Sequence, residues 1–413
     1  MQFRQTKLSQ DEEERKVKIL FRNSVPEIPS TTYATFAIYK YPAKFIPQVI
    51  AYVLKKYANP KMKVFDPFAG YGTTGVVARV YGNDYEIWDL NPIIKVLHDT
   101  ATSKQIDINL YEFISEIKKC SSEFLPRWSN LEYWFPEEFI EVLSKSWGHA
   151  HELEGGLKYA LLVPLMKVTK YFSYADEKVH KLYRSKYSKK KVTELLKSNW
   201  KEKFYSMLEE EIRILLKKIV EYNRMKPKDV NFEVRAGIDT LETKLEEEAD
   251  LLITSPPYLQ AQEYIRSTKL ELFWLGYSEE FIRNLSEKEI PYRKINKIEV
   301  RSPTFHEFRD RIKEEHLLKL YDQYFYAILG AFEKLGEKIE DFMCIFVGQA
   351  KIRTMKVPID EIIVEHLTEL GWKHEITYID QIVARVMFES PVNPASGIRD
   401  SRMKTEHLVV LRK

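Results

Sequence analysis

Thr254-Ser255-Pro256-Pro257-Tyr258 directly follows the apolar run Leu251-Leu252-Ile253. Its residue types suit chemistry on a flat ring that bears an amino group. The two prolines fix φ and lack N–H donors. They also push the residue before each of them toward an extended conformation, and a strand interior cannot continue through them. Ser255 to Tyr258 are therefore expected as a stiff loop at the carboxyl end of a short buried strand, where open α/β sheets bind ligands. The loop offers a hydroxyl, carbonyl oxygens with no neighbouring N–H, and an aromatic ring. These are acceptors for an amino group and a face on which a ring can stack. A proline turn carrying a core tyrosine is the plain structural alternative, and the loop by itself accommodates both.

A second stretch, Val64-Phe65-Asp66-Pro67-Phe68-Ala69-Gly70-Tyr71-Gly72-Thr73-Thr74, places an acid at a strand end and a Gly-x-Gly turn before a helix. Glycines let the backbone turn tightly and approach a ligand, and the free N–H groups of a helix start favour an anionic group. A bare Gly-x-Gly says little; the strand–turn–helix setting gives it weight. Asp89 ends the next expected strand, Tyr85 to Trp88, 19 residues beyond Gly70, where nucleotide-binding α/β folds place an acid for ribose hydroxyls. A helix cap near Pro92 is its ordinary alternative. Asp239 follows the expected strand Phe232 to Arg235 and is placed to reach an adenine amino group, or to cap a turn.

The elements that must carry these groups follow from periodicity. A helix is expected over 44–57, then the unit from Lys63 to Trp88 reads strand–helix–strand, the signature of a parallel sheet. Leu318 to Lys334 and Ile359 to Leu370 read as helices, the latter closed by Gly371. Phe342 to Val347, Glu375 to Tyr378 and His407 to Leu411 read as strands. The fold class is α/β, a Rossmann-like doubly wound sheet with a mainly helical insertion. The expected division is 1–100, an extended N-terminal arm and the first part of the sheet domain; 101–231, the insertion; and 232–413, the second part.

Composition limits the classes of function. At 413 residues, 44% hydrophobic and 30% charged, the chain is an ordinary globular protein. A net charge of +3 means that attraction to a polyanion depends on local clusters. Two cysteines, Cys120 and Cys344, make neither a disulfide framework nor a zinc site and point to a reducing compartment, so a cytoplasmic location and no metal are expected. The charged N-terminus is unlike a signal peptide, and no run of about 18 apolar residues suits a membrane span.

Taken together, these residues resemble the S-adenosylmethionine-dependent amino-methyltransferases of DNA. Asp66-Pro67-Phe68-Ala69-Gly70-Tyr71-Gly72 looks like the family's cofactor loop, and Thr254-Ser255-Pro256-Pro257-Tyr258 looks like its catalytic loop. Tyr41-Pro42-Ala43-Lys44-Phe45-Ile46-Pro47 is similar to a cofactor-side motif of some members. The likeness spans about 30–100 and 232–413. It implies a cofactor site of Asp66, Pro67, Phe68, Ala69, Gly70, Gly72, Thr73, Asp89, Asp239 and Phe45. It also implies that the Ser255 hydroxyl and Pro256 carbonyl accept from the target amine while Tyr258 stacks on a flipped base. In this family serine at the first loop position accompanies cytosine-N4 methylation more than adenine-N6, so cytosine N4 of double-stranded DNA is the implied target, within a restriction–modification system and with a cognate endonuclease as partner. Adenine N6 and an RNA or tRNA base remain the alternatives, and a non-enzymatic nucleic-acid binder is disfavoured because both loops are intact.

DNA contacts are expected from the insertion, where Lys186, Lys189, Lys190 and Lys191 lie among Tyr183, Tyr187 and Trp200, or from 259–315, which contains Arg266. A solvated helix face is the competing reading for such a charge run.

Overall fold

The computed structural model describes residues 15–42, 44–179, 181–259, 263–382 and 405–413. Eight strands form one sheet: β1 (Lys16–Ile19), β2 (Lys63–Asp66), β3 (Asp84–Asp89), β4 (Phe232–Ala236), β5 (Ala249–Thr254), β6 (Ile339–Gly348), and, beyond a small hairpin of β7 (Ala350–Ile352) and β8 (Met355–Val357), β9 (Lys373–Gln381) and β10 (Thr405–Arg412). Their spatial order is β1-β9-β10-β6-β5-β2-β3-β4. Only β10 runs antiparallel to its neighbours, β6 and β9. The chain winds outward in two directions from the β2/β5 junction, so the ligand crevice of an open sheet lies there, at the carboxyl ends of these strands.

Side-chain alternation builds two cores from one sheet. Val64, Tyr85, Ile87, Leu251, Ile253, Cys344, Phe346, Leu408 and Val410 face one hydrophobic cluster. Their neighbours Phe65, Trp88, Leu252, Met343, Ile345, Val409 and Leu411 face the other. Strands buried on both faces read as continuous apolar runs, and each fully buried aliphatic side chain contributes about 1.5–3 kcal/mol. The first face is covered by α1 (Pro47–Tyr57), α2 (Thr73–Tyr81), α3 (Ile93–Ala101) and the helices that follow: α4 (Leu110–Lys119), α5 (Glu137–Glu152), α6 (Gly155–Tyr171), α7 (Lys186–Leu196) and α8 (Trp200–Arg224). After two shorter helices, α9 (Lys269–Trp274) and α10 (Glu279–Glu287), the second face is covered by α11 (Pro303–Arg311), α12 (Glu315–Gly336) and α13 (Ile359–Thr368).

The buried residues of 101–231 join the same cluster as the first face of the sheet. The 25-residue helix α8 reaches α2 directly: the Tyr222 hydroxyl donates to the Val76 carbonyl of α2 at 3.1 Å. Lys218 on α8 donates to the carbonyls of Thr32 and Ala34, holding the N-terminal segment down.

That segment departs from expectation. Residues 1–14 lie outside the described residues, but 15–30 do not form an extended arm. Lys16–Ile19 pairs in parallel with Thr377–Asp380 of β9, and Phe21 is fully buried against the rings of Tyr52, Phe346 and Tyr378. A four-residue edge strand whose partner lies more than 350 residues away leaves no local periodicity to read.

Helix α2 approaches β3 so closely that a Cβ on Gly75 would meet Tyr85 Cε2 at 2.6 Å. Tyr85 cannot swing aside, because its ring is buried and its hydroxyl lies 2.7 Å from His98 Nε2. Gly75→Ala is therefore expected to destabilise the protein by about 1–3 kcal/mol, the usual cost of overpacking, read as a lowered midpoint in denaturant unfolding.

Candidate functional site

Four strand ends and the loops that follow them meet at the crevice. After β2 the chain turns through Gly70 and Gly72, both at positive φ (+54° and +86°), conformations that favour glycine. Asp66, at the end of β2, is 1% exposed. Its Oδ1 accepts from Thr254 Oγ1 (2.6 Å) at the end of β5 and from the Phe68 amide (3.1 Å), and its Oδ2 accepts from Thr74 Oγ1 (2.5 Å) on α2. One carboxylate thus joins the glycine loop, its helix and the base of the proline loop. Burial pushes the Asp66 carboxyl up to about 7, against the pull of its hydroxyl and amide donors.

Asp89, at the end of β3, accepts from the Gly70 amide through Oδ2 and from the Asn91 amide through Oδ1, each at 2.7 Å. Burial raises it to about 6. Each oxygen keeps a further lone pair, so the carboxylate holds the glycine turn and can still accept from a ligand hydroxyl. Asp239 follows β4; its Oδ1 accepts from the Leu241 amide, while Oδ2 lies 2.6 Å from Arg293 Nη1 and 3.4 Å from Lys288 Nζ. Its loop is fixed from outside by Lys334 of α12, whose Nζ donates to the carbonyls of Thr240, Leu241 and Thr243 at 2.7–2.9 Å. It is tied inward by Thr240 Oγ1, which donates to the Pro67 carbonyl at 2.5 Å.

The resulting cavity is lined by Phe68, Gly70, Asp89 and Asp239 together with Ser255, Pro256, Pro257 and Tyr258. The two motifs that the sequence singles out therefore face one space. The remaining cofactor-side residues lie behind the wall. Asp66 and Thr73 are buried, Pro67 contributes the carbonyl that Thr240 uses, and the amides of Ala69 and Gly72 are spent on Trp88 O and Ala69 O. Phe45 stacks on Phe346, ring centroids 5.5 Å apart, inside the core. These residues shape the turn rather than line the cavity.

Sequence reasoning missed Tyr264 and Glu289. The Tyr264 ring stacks on Tyr41 (6.3 Å, 19°), giving the cavity an aromatic wall. Glu289, 7% exposed, accepts from the Ile265 amide at 2.9 Å and is pushed up to about 7 by burial. Neither belongs to the glycine loop or the proline loop, and no local pattern marks them.

Lys186, Lys189 and Lys190 are exposed on α7, which a Ser185–Ser188 capping box starts. Lys190 lies 3.8 Å from Glu194. Lys191 lies over the Tyr171 ring, 3.8 Å from Glu177, and burial lowers its pKa. None of the four walls the cavity. Arg266 sits on the turn of helix that carries Tyr264 and Ile265, paired with Glu263 at 3.0 Å, and Lys181 of the insertion reaches the same carboxylate at 3.9 Å.

Cys344 is buried on β6; Cys120 follows α4 and places its sulfur within 4.8 Å of ligand atoms of His149 and Glu152. The Cys120 thiol faces the Ser122 carbonyl and the Ser122 hydroxyl donates to Glu152, so two of the three groups serve a hydrogen-bonded turn. Among the described residues no helix is long and apolar enough to cross a membrane.

No family model matches the chain. It is similar to the Type II methyltransferase M.MvaI of Kocuria varians, 24% identical over 272 residues, which are 60% of this chain and 58% of that protein. It is also similar to the Type II methyltransferase M.MjaII of Methanocaldococcus jannaschii, 31% identical over 116 residues, 23% and 22% of the two chains. The matched region thus spans less than two thirds of either relative. The solved rRNA methyltransferase aviRa from Streptomyces viridochromogenes aligns over 91% of this chain and 88% of its own at 9% identity and a TM-score of 0.30, too slight a superposition to argue from.

The Asp66 junction makes a pH-dependent prediction. A carboxyl whose pKa rises from 3.8 to about 7 on folding binds its proton more tightly in the folded state. Its contribution to stability is therefore full below pH 3.8 and is lost as pH rises through 7. Asp66→Asn removes this titration. The stability of the variant relative to wild type is expected to improve steadily from pH 4 to 7, measured by denaturant unfolding at a series of pH values.

Proposed function

We propose that the chain is a site-specific DNA methyltransferase that moves a methyl group from S-adenosylmethionine to the exocyclic N4 amine of a flipped cytosine. The single observation that carries this reading is that Ser255-Pro256-Pro257-Tyr258, after β5, and the pair Gly70/Asp89, at the ends of β2 and β3, line one cavity at the carboxyl ends of adjacent parallel strands. The similarity to two Type II methyltransferases supports methyl transfer to DNA, and a cognate endonuclease is the partner this reading proposes.

The residues present suit the cofactor. Asp89 and Asp239 offer acceptors for ribose hydroxyls and an adenine amine, and the faces of Tyr41, Tyr264 and Phe68 provide an aromatic wall compatible with a cation. When bound, S-adenosylmethionine supplies an electrophilic methyl group on a sulfonium. The protein's part is alignment, which contributes up to about 7–11 kcal/mol in well-oriented reactions. The target amine is a poor nucleophile because its lone pair is delocalised into the ring. The Ser255 hydroxyl and Pro256 carbonyl accept its hydrogens and free that lone pair. Tyr258 stacks on the flipped ring, and the surplus proton leaves to solvent, so no strong base is required. Serine at the head of the loop favours cytosine over adenine, by the family resemblance. Arg266, beside the cavity, and the exposed lysines of α7 supply phosphate contacts that weaken with salt.

Incubation with methyl-labelled S-adenosylmethionine and duplex DNA or tRNA, followed by nucleoside analysis, tests the reading. Label is expected in N4-methylcytosine. Label in N6-methyladenine overturns the base assignment, label in tRNA alone overturns the DNA assignment, and no transfer to either overturns the enzyme. Ser255→Ala is expected to lower kcat by about 10²-fold, the scale of losing one placed polar group, while cofactor binding by titration calorimetry is retained.

A further inference from the structure

We propose that Glu406 is a positioning residue for the catalytic loop: its carboxylate holds the Tyr258 hydroxyl and so sets the plane of the ring that meets the target base. The inference rests on the function proposed above and adds a residue that neither motif contains.

The Tyr258 hydroxyl donates to Glu406 Oε1 at 2.8 Å. The bond reaches across a strand. Tyr258 follows β5, whereas Glu406 sits at the start of β10, opposite Gly348 of β6 and Asp380 of β9. Both groups are largely withdrawn from water; burial raises the Tyr258 phenol, which therefore keeps the proton it donates, and also raises the Glu406 carboxyl against the pull of this bond. Asp380 on β9, Arg22 in the N-terminal segment and the adjoining His407 are the other charged or titratable groups that act on Glu406.

The geometry explains why the loop ends in tyrosine. Stacking alone requires only a ring. A tyrosine ring has two side-chain torsions, and Pro256 and Pro257 stiffen the backbone only at its near end. The hydroxyl bond fixes the far end. Tyr258 is half-buried and lines the cavity, so its ring edge is anchored while part of its surface stays available to a ligand. An ordinary core tyrosine would have no reason to leave its ring at a cavity wall.

The test compares Glu406→Ala, Glu406→Gln, Tyr258→Phe and the double variant Tyr258→Phe/Glu406→Ala in the labelled transfer assay on duplex DNA. Cofactor affinity and melting temperature are measured in parallel. Glu406→Ala strands a buried hydroxyl and is expected to lower kcat about tenfold, with the cofactor's KM within about twofold of wild type. Glu406→Gln retains an acceptor oxygen and is expected to keep kcat within about threefold. Tyr258→Phe deletes the same bond, is expected to match Glu406→Ala, and stands in for it should that variant fold poorly. The double variant is expected to be no slower than the worse single variant, because both remove one interaction. Wild-type rates in Glu406→Ala or Tyr258→Phe overturn the inference, as does equal damage from Gln and Ala, or full additivity in the double variant. If the wild-type protein itself transfers no label, the proposed function fails and takes the inference with it. If it does transfer and the variants are unimpaired, the inference fails alone.

Discussion

The buried carboxylate of Asp66 is the constraint on which the site depends. It accepts from the Phe68 amide in the glycine loop, from Thr74 on the helix behind that loop and from Thr254 at the root of the proline loop. An ionised carboxylate is costly to bury unless its lone pairs are used, and here three donors from three elements converge on it. None of those donors could be moved without leaving either the acid or a hydroxyl unsatisfied. The two loops therefore share one internal reference point, and the distance between their outward faces, which is the width of the cavity, is set from behind.

The other strand ends are linked to that point in turn. Asp89 takes the Gly70 amide, so β3 fixes the crest of the glycine turn. Thr240 takes the Pro67 carbonyl, which brings in the loop after β4, and Lys334 holds that loop from the opposite layer. Tyr222 then ties α8 to the Val76 carbonyl of α2. The helices of 101–231 thus reach the site through the back of α2 rather than through the cavity; the four lysines of α7 do not line the cavity, whereas Arg266 directly follows Ile265, which does.

Much of the sheet is legible because its physics is local. Leu251-Leu252-Ile253 followed by Ser-Pro-Pro-Tyr defines a strand and its end within seven residues, and Gly70 and Gly72 mark a turn that needs positive φ. The acids at successive strand ends follow from the same reading. What stayed hidden depends on partners distant in sequence. Whether Asp66 faces a ligand or the interior is decided by Thr254, 188 residues away. Glu289 and Tyr264 enter the cavity wall through a stretch whose local pattern is unremarkable for a loop, and β1 exists only because β9 offers it an edge. The charge run of α7 reads the same whether it binds phosphate or water, and even Lys191 could not be told from its neighbours until Tyr171 and Glu177 were placed around it.

The same burial that orders these groups also sets their charge. Asp66, Asp89 and Glu289 are raised to about 7, 6 and 7, in each case first by desolvation, and the Asp89 charge raises Asp66 and Glu289 further. Near neutral pH Asp89 and Glu289, which line the cavity, and Asp66, buried behind it, therefore stand between their two forms, and a proton on Asp89 eases the other two. A cation entering the cavity reverses that balance, because an opposite charge within a few ångströms favours the ionised form. The desolvation that the fold imposes to place these acceptors thus also leaves the charge of the cavity wall responsive to the charge of what enters it.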